Sequence, residues 1–162
     1  MADTIREKII NNIVGNLQQI KIINDYNTDI GLQVFRGESF INTSILSACF
    51  VIPEQDEKEE QQEYGADRLI MPVSIIGIAK YTYSTSKTTE SDNISKLGEK
   101  ILGDIRLSMG LCVDYTDEII YVSGGIQDYP DSRQGEISVQ VNCTYQIKYK
   151  TLKNNPYEIV KY

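Results

Sequence analysis

The segment from Glu136 to Lys150, EISVQVNCTYQIKYK, alternates without a break: Ile137, Val139, Val141, Cys143, Tyr145, Ile147 and Tyr149 share one parity, and polar residues fill the other. Side chains of a strand point to opposite faces with period two, so this stretch has one dry and one wet face along its whole length. Fifteen extended residues at ~3.4 Å each span roughly 50 Å. A compact domain of this size has a radius of gyration of only about 15 Å. A strand of that length either bends sharply or reaches beyond its own core onto a neighbouring chain.

The 162 residues fit one domain, 1–162, large enough to bury roughly 70% of the unfolded surface without metals or disulfides. The uncharged apolar runs, such as Ser74 to Ala79, are far too short to cross a bilayer, so no membrane partner is expected. The start MADTIREKII mixes charge with apolar residues instead of placing a basic end before an apolar block, which points to synthesis in a cytoplasm. Cys49, Cys112 and Cys143 are too widely spaced for a zinc knuckle or a CxxC pair and read as buried free thiols. A net charge of −7 opposes adhesion to nucleic acid, because phosphate neutralisation needs clustered Lys and Arg.

Ile5, Ile9, Ile13, Leu17 and Ile20 recur at helical spacing over about residues 3–20, with Asp3 or Thr4 as N-cap. After the turn cluster NDYNTD, Ile30 to Phe35 and residues 46–52 read as strands, the second ended by Pro53. The run PEQDEKEEQQEYGAD, residues 53–67, reads as a mobile acidic loop over 53–66; calcium loops need ligands at fixed offsets with a glycine at the turn position, a pattern it lacks. Residues 67–83, DRLIMPVSIIGIAKYTY, form a second long strand with apolar residues on both parities, as in a central strand covered on both faces. Pro72 has no N–H, so pairing near its position is one-sided or bulged. A polar loop, STSKTTESDN, precedes a helix from about Asp92 to Met109 stopped by Gly110; EIIYVS is a strand, and GGIQDYPDSRQGE turns into the last strand. The fold class expected is α+β, a mixed and mostly antiparallel sheet with long strands, backed by two main helices. Its core covers about 3–150, and 151–162 form a C-terminal tail without an assigned place.

Chemistry is sparse. With no histidine, the commonest general base, the commonest metal ligand and every Ser-His or Cys-His nucleophile are excluded. Ser84-Thr85-Ser86-Lys87 matches S-x-x-K and Ser91-Asp92-Asn93 matches S-D-N, but elements that must converge from separate units here share one polar loop, and K-T-G is missing. Gly124-Gly125 opens onto turn residues with no Lys or helix to hold a phosphate. No catalytic, cofactor-binding or metal-ligating residue is selected, and no cofactor is expected.

The order of elements resembles the tail terminator, or tail completion, proteins of long-tailed bacteriophages and prophages. The resemblance is carried by the amphipathic first helix, the turn ending in TDIGLQVFRG, the strand opened by RLIMPVSIIG, the helix ISKLGEKILGDIRLSMG and the long closing strand, over roughly residues 3–150. It implies a structural virion protein at the tail-neck junction, made in the host bacterial cytoplasm. Such a protein forms a hexameric ring with itself on the head-proximal end of the tail tube, stops tube polymerisation, and offers the neck or head completion protein a joining surface. DNA is then only passing cargo. On that reading the long strands would pack on a neighbouring subunit through Leu69, Met71, Val73, Tyr145, Ile147 and Tyr149. Two alternatives stand beside it: another neck or head-tail adaptor protein, and a cytoplasmic α+β ligand-binding module or carboxylate-using enzyme with a concave pocket of convergent polar groups.

Overall fold

The expected long strands pair with each other. In the computed structural model, which describes residues 2–37, 47–82, 87–112, 114–128 and 136–160, β4 (Ala66–Thr82) and β6 (Glu136–Leu152) form an antiparallel ribbon matched residue for residue from Ala66↔Leu152 to Thr82↔Glu136. The remaining strands are β1 (Val34–Arg36), β2 (Ser47–Pro53), β3 (Glu57–Lys58) and β5 (Glu118–Asp128). Among the described residues they make one six-stranded sheet in the order β1-β2-β4-β6-β5, with β3 also on β4. Only β1 and β2 run parallel. With α1 (Ile5–Leu17) and α2 (Lys87–Met109) this is the expected α+β fold.

Parity divides the sheet into two faces. Met71, Val73 and Ile75 of β4, with Val139, Val141, Cys143, Tyr145, Ile147 and Tyr149 of β6, all point to the helix side and are buried with Ile5, Ile9, Ile13 and Leu17 of α1 and Ile101 and Ile105 of α2. The approach of α2 is close: a Cβ built at Gly77 would lie 2.5 Å from Ile101 Cγ2, and one at Gly98 would lie 2.5 Å from Ile126. On the other face Ala48, Phe50 and Ile78 form a smaller buried cluster, with Ile76 against it and Phe35 stacked on Phe50 at 5.3 Å between ring centres. Apolar residues on both parities of β4 thus serve two separate clusters.

Thr4 caps α1 by accepting from the Glu7 N–H at 3.1 Å. The first helical N–H, of Ile5, donates to the Pro156 carbonyl at 2.8 Å. An orphan donor of the helix end is thereby satisfied by the C-terminal tail. The tail returns along β6 as well, with the Leu152 N–H donating to the Glu158 carbonyl at 2.8 Å. Along β6, β4 covers one side from Glu136 to Leu152, while β5 covers the other from Gln140 to Lys148 and the tail meets it at Leu152.

Several boundaries differ from expectation. Ile30–Leu32 is a 3₁₀ turn, and the strand begins only at Val34. Helix α2 starts at Lys87, inside the stretch expected as a polar loop, while Ser84 to Ser86 lie outside the described residues. Strand β5 runs through Gly124-Gly125 to Asp128 instead of turning there; the remainder of that expected turn, 129–135, lies outside the described residues. Pro72 behaves as its chemistry requires. Its carbonyl accepts from Glu54 N–H at 2.8 Å, so its nitrogen points to the same edge, in the gap after β2 ends at Pro53↔Val73 and before β3 pairs at Ile70.

Candidate functional site

The six residues expected at a subunit contact lie elsewhere. Met71, Val73, Tyr145, Ile147 and Tyr149 are buried in the chain's own core, and Leu69 is half-buried against the same cluster. The correction has a simple cause: an apolar strand face shows that something covers it, and here the cover is α1 and α2. Tyr145 meets the Tyr121 ring edge-on at 5.5 Å, and the Tyr149 hydroxyl donates to Asp56 Oδ2 at 2.7 Å. Met71, Val73, Ile147 and Tyr149 are covered by the chain itself, and Tyr145 shows only at the floor of a cleft beside the end of α2.

The acidic run is not a free loop either. Part of it is β3, and Glu59 and Glu63 join the basic side chains of the wet face of the sheet. Glu59 accepts from Arg68 Nε at 2.7 Å and lies 3.3 Å from Lys148 Nζ; Lys148 also reaches Glu118 of β5 at 3.6 Å, and Lys150 reaches Glu63 at 2.9 Å. Burial would push the Glu59 carboxyl up, but the hydrogen bonds from Arg68 and Lys148 outweigh it and hold the group below its ordinary value. Asp56 pairs with Arg6 of α1. A run that resembles a solvated tip in sequence is the ionic side of the sheet.

Two surface features remain for contact with other molecules. The first is β5, whose outer edge pairs with no strand among the described residues. Register shifts between Tyr121 and Ser123 and between Ile126 and Asp128 bend it, and such bulges are a known defence of edge strands against indiscriminate pairing. The second is a cleft of about 380 Å³ between the C-terminal end of α2 and the start of β5. Its floor includes Met109, Ile119, Tyr121 and Tyr145, and its rim carries Arg106 and Asp117; Glu118 also borders it but turns its carboxylate to Lys148 on the wet face. The Arg106 guanidinium sits 4.3 Å from the centre of the Tyr121 ring.

This cleft is suited to recognition by contact. Its thiol, Cys112, is buried and its pKa is raised by that burial; Cys143 of β6 is pushed up to about 12 by the same cause. Both stay protonated at neutral pH and are poor nucleophiles. Burial also raises the Tyr145 phenol. An apolar floor flanked by one cation and one carboxylate fits an apolar side chain carried between charges of both signs. Sequence reasoning missed Arg106 and Tyr121 because they lie on different elements, and only the packing of α2 on β5 joins them.

No family model matches the sequence, and no curated protein matches it.

Proposed function

We propose that this chain is a structural assembly protein of the tail terminator type, which caps the head-proximal end of a long phage tail as a ring of its own copies. The observation that carries the reading is the architecture: one mostly antiparallel sheet, built on two 17-residue strands, with both helices on one face and in the element order of that class. The contact surfaces support it. The cleft offers an apolar floor and a charged rim and no activated nucleophile, and the net charge of −7 suits a lumen through which DNA passes without being gripped.

The test mixes the purified protein with polymerising tail tube protein of the same phage or prophage. Rings at one end of tubes of limited length, seen by electron microscopy, are expected. Tubes that grow unchanged with no protein at either end would sink the reading. Binding to a head-side portal or adaptor ring instead would transfer the chain to the neck-adaptor class.

A further inference from the structure

After α1 ends, Ile22–Asn24 forms a single 3₁₀ turn that pushes two isoleucines into solvent, Ile22 at 59% and Ile23 at 88% exposure. Isolated exposed apolar residues are ordinary. This pair differs because its turn is tied down. The Ile22 N–H donates to Asp29 Oδ1 at 2.9 Å, the Asn24 side-chain amide donates to the Gln19 carbonyl at 3.0 Å, and the Gly31 N–H donates to the Ile20 carbonyl at 2.9 Å. Beneath it, Asp104 of α2 accepts from Asn27 and Thr28. A projection already rigid gives up little entropy on docking, and burying an isoleucine contributes favourably to any contact it enters.

The cleft and this projection lie on opposite flanks of α2. Asp104 faces the loop that carries Ile22 and Ile23, whereas Leu102 packs over Gly124 and Arg106 over Tyr121, both on β5. A chain with a projection on one flank and a cleft on the other can dock head to tail, and such contacts close into a ring when the rotation allows. The charges correspond. Lys21 and Asp25 bracket the two isoleucines, while Asp117 stands on the β5 side of the cleft and Arg106 on the α2 side.

We infer that Lys21–Asp25 of one copy docks into the α2/β5 cleft of the next copy, with Ile23 entering the cavity over Tyr121 and Tyr145, Lys21 meeting Asp117, and Asp25 meeting Arg106. The inference rests on the assembly reading above for its partner, a second copy of this chain, and supplies the contact that reading lacks.

The experiment uses two full-length variants. Ile23→Asp disables the projection and leaves the cleft intact; Asp117→Lys with Arg106→Glu reverses both charges of the cleft rim and leaves the projection intact. All three positions are exposed, so both variants should fold, as circular dichroism checks. In light scattering over a concentration series, wild type self-associates and each variant does so about 100-fold more weakly. Mixed one to one, the variants give a heterodimer and nothing larger, because each contributes one working half. Wild type that stays monomeric throughout, an Ile23→Asp variant that assembles like wild type, or a mixture that stays monomeric overturns the contact. Tube capping is read separately: rings that cap tubes but ignore Ile23→Asp remove this contact and keep the functional reading, whereas heterodimers from a chain that never caps tubes do the reverse.

Discussion

The Tyr149 hydroxyl donates to Asp56 Oδ2 at 2.7 Å across 93 positions of sequence. Asp56 pairs through its other oxygen with Arg6, whose second nitrogen reaches the Glu54 carbonyl at 2.6 Å. Helix α1, the acidic segment and β6 are thus fastened at one point. Burial and the bond to Asp56 both raise the phenol's pKa, so it remains a donor at any physiological pH. Tyr149→Phe removes one hydrogen bond and leaves the ion pair, at a cost of about 1 kcal/mol. Asp56→Ala strands both the phenol and the guanidinium and costs more, about 1–3 kcal/mol. Urea denaturation of both variants checks the order, and an Asp56→Ala loss no larger than that of Tyr149→Phe would refute the shared anchor.

Helix α2 comes close enough to β4 that Gly77 has no room for a side chain. A Cβ there would stand 2.5 Å from Ile101 Cγ2 and 3.0 Å from Ile105 Cδ1. Gly77→Ala is expected to destabilise by about 1–3 kcal/mol through overpacking. Ile101→Leu removes the offending branch methyl, so the double variant should lose less than the sum of the two singles. Strict additivity in denaturant melts would show that the contact is not the cause.

The alternation of β6 and the stripe of α1 are legible in sequence because one apolar face per element is all that local periodicity encodes. What covers a face is not encoded locally, and for that reason Tyr145, Ile147 and Tyr149 read as surface for a neighbour when α1 and α2 already cover them. Gly124-Gly125 reads as a turn by composition, yet Gly124 lies inside β5, where a Cβ would meet the Tyr121 hydroxyl at 2.6 Å and Leu102 at 2.8 Å. Charges signal solvent unless their partners are known. Glu59 finds Lys148 at the far end of the chain, and no spacing announces that pair. Ile22 and Ile23 follow the stripe of α1 closely enough in sequence to pass for its continuation, and only the 3₁₀ turn turns them outward.

The ionic face sets a pH dependence with a definite sign. Glu59 binds its proton less readily when folded than its ordinary value of 4.5 implies, so the unfolded chain holds more protons there as the solution is acidified. Its contribution to stability is present above that value and is lost as pH falls through the lower folded one. Glu59→Gln should therefore be less stable than wild type near neutral pH, with the difference shrinking to nothing in acid. Glu7 and Asp67 are also held low, by Arg36 and by the Asn154 N–H respectively, so the informative quantity is the wild-type-minus-variant difference in urea midpoint. A difference that stays constant through the acid range would remove Glu59 from the account.

Asp104 is 1% exposed and accepts from the Asn27 N–H at 3.1 Å, the Asn27 side-chain amide at 3.2 Å and the Thr28 hydroxyl at 2.7 Å. A carboxylate buried this far is satisfied only by that set of donors, and the donors all belong to the loop that carries Ile22 and Ile23. Asp104→Ala leaves the buried Thr28 hydroxyl and the part-buried Asn27 N–H without that acceptor, at a cost of about 2–4 kcal/mol. Asp104→Asn keeps the shape and one acceptor oxygen but turns an amide toward donors, and should fall between alanine and wild type. Hydrogen exchange separates a local role from a global one. The Asn27 amide should exchange faster in both variants than their loss of global stability explains, while amides of β6 such as Val141 should follow global stability alone. Exchange at Asn27 that merely tracks global unfolding would mean that Asp104 supports the core and does not hold the loop. In the first case, self-association should weaken along with the loop, because a projection that must be ordered on docking gives up part of its binding free energy to that ordering.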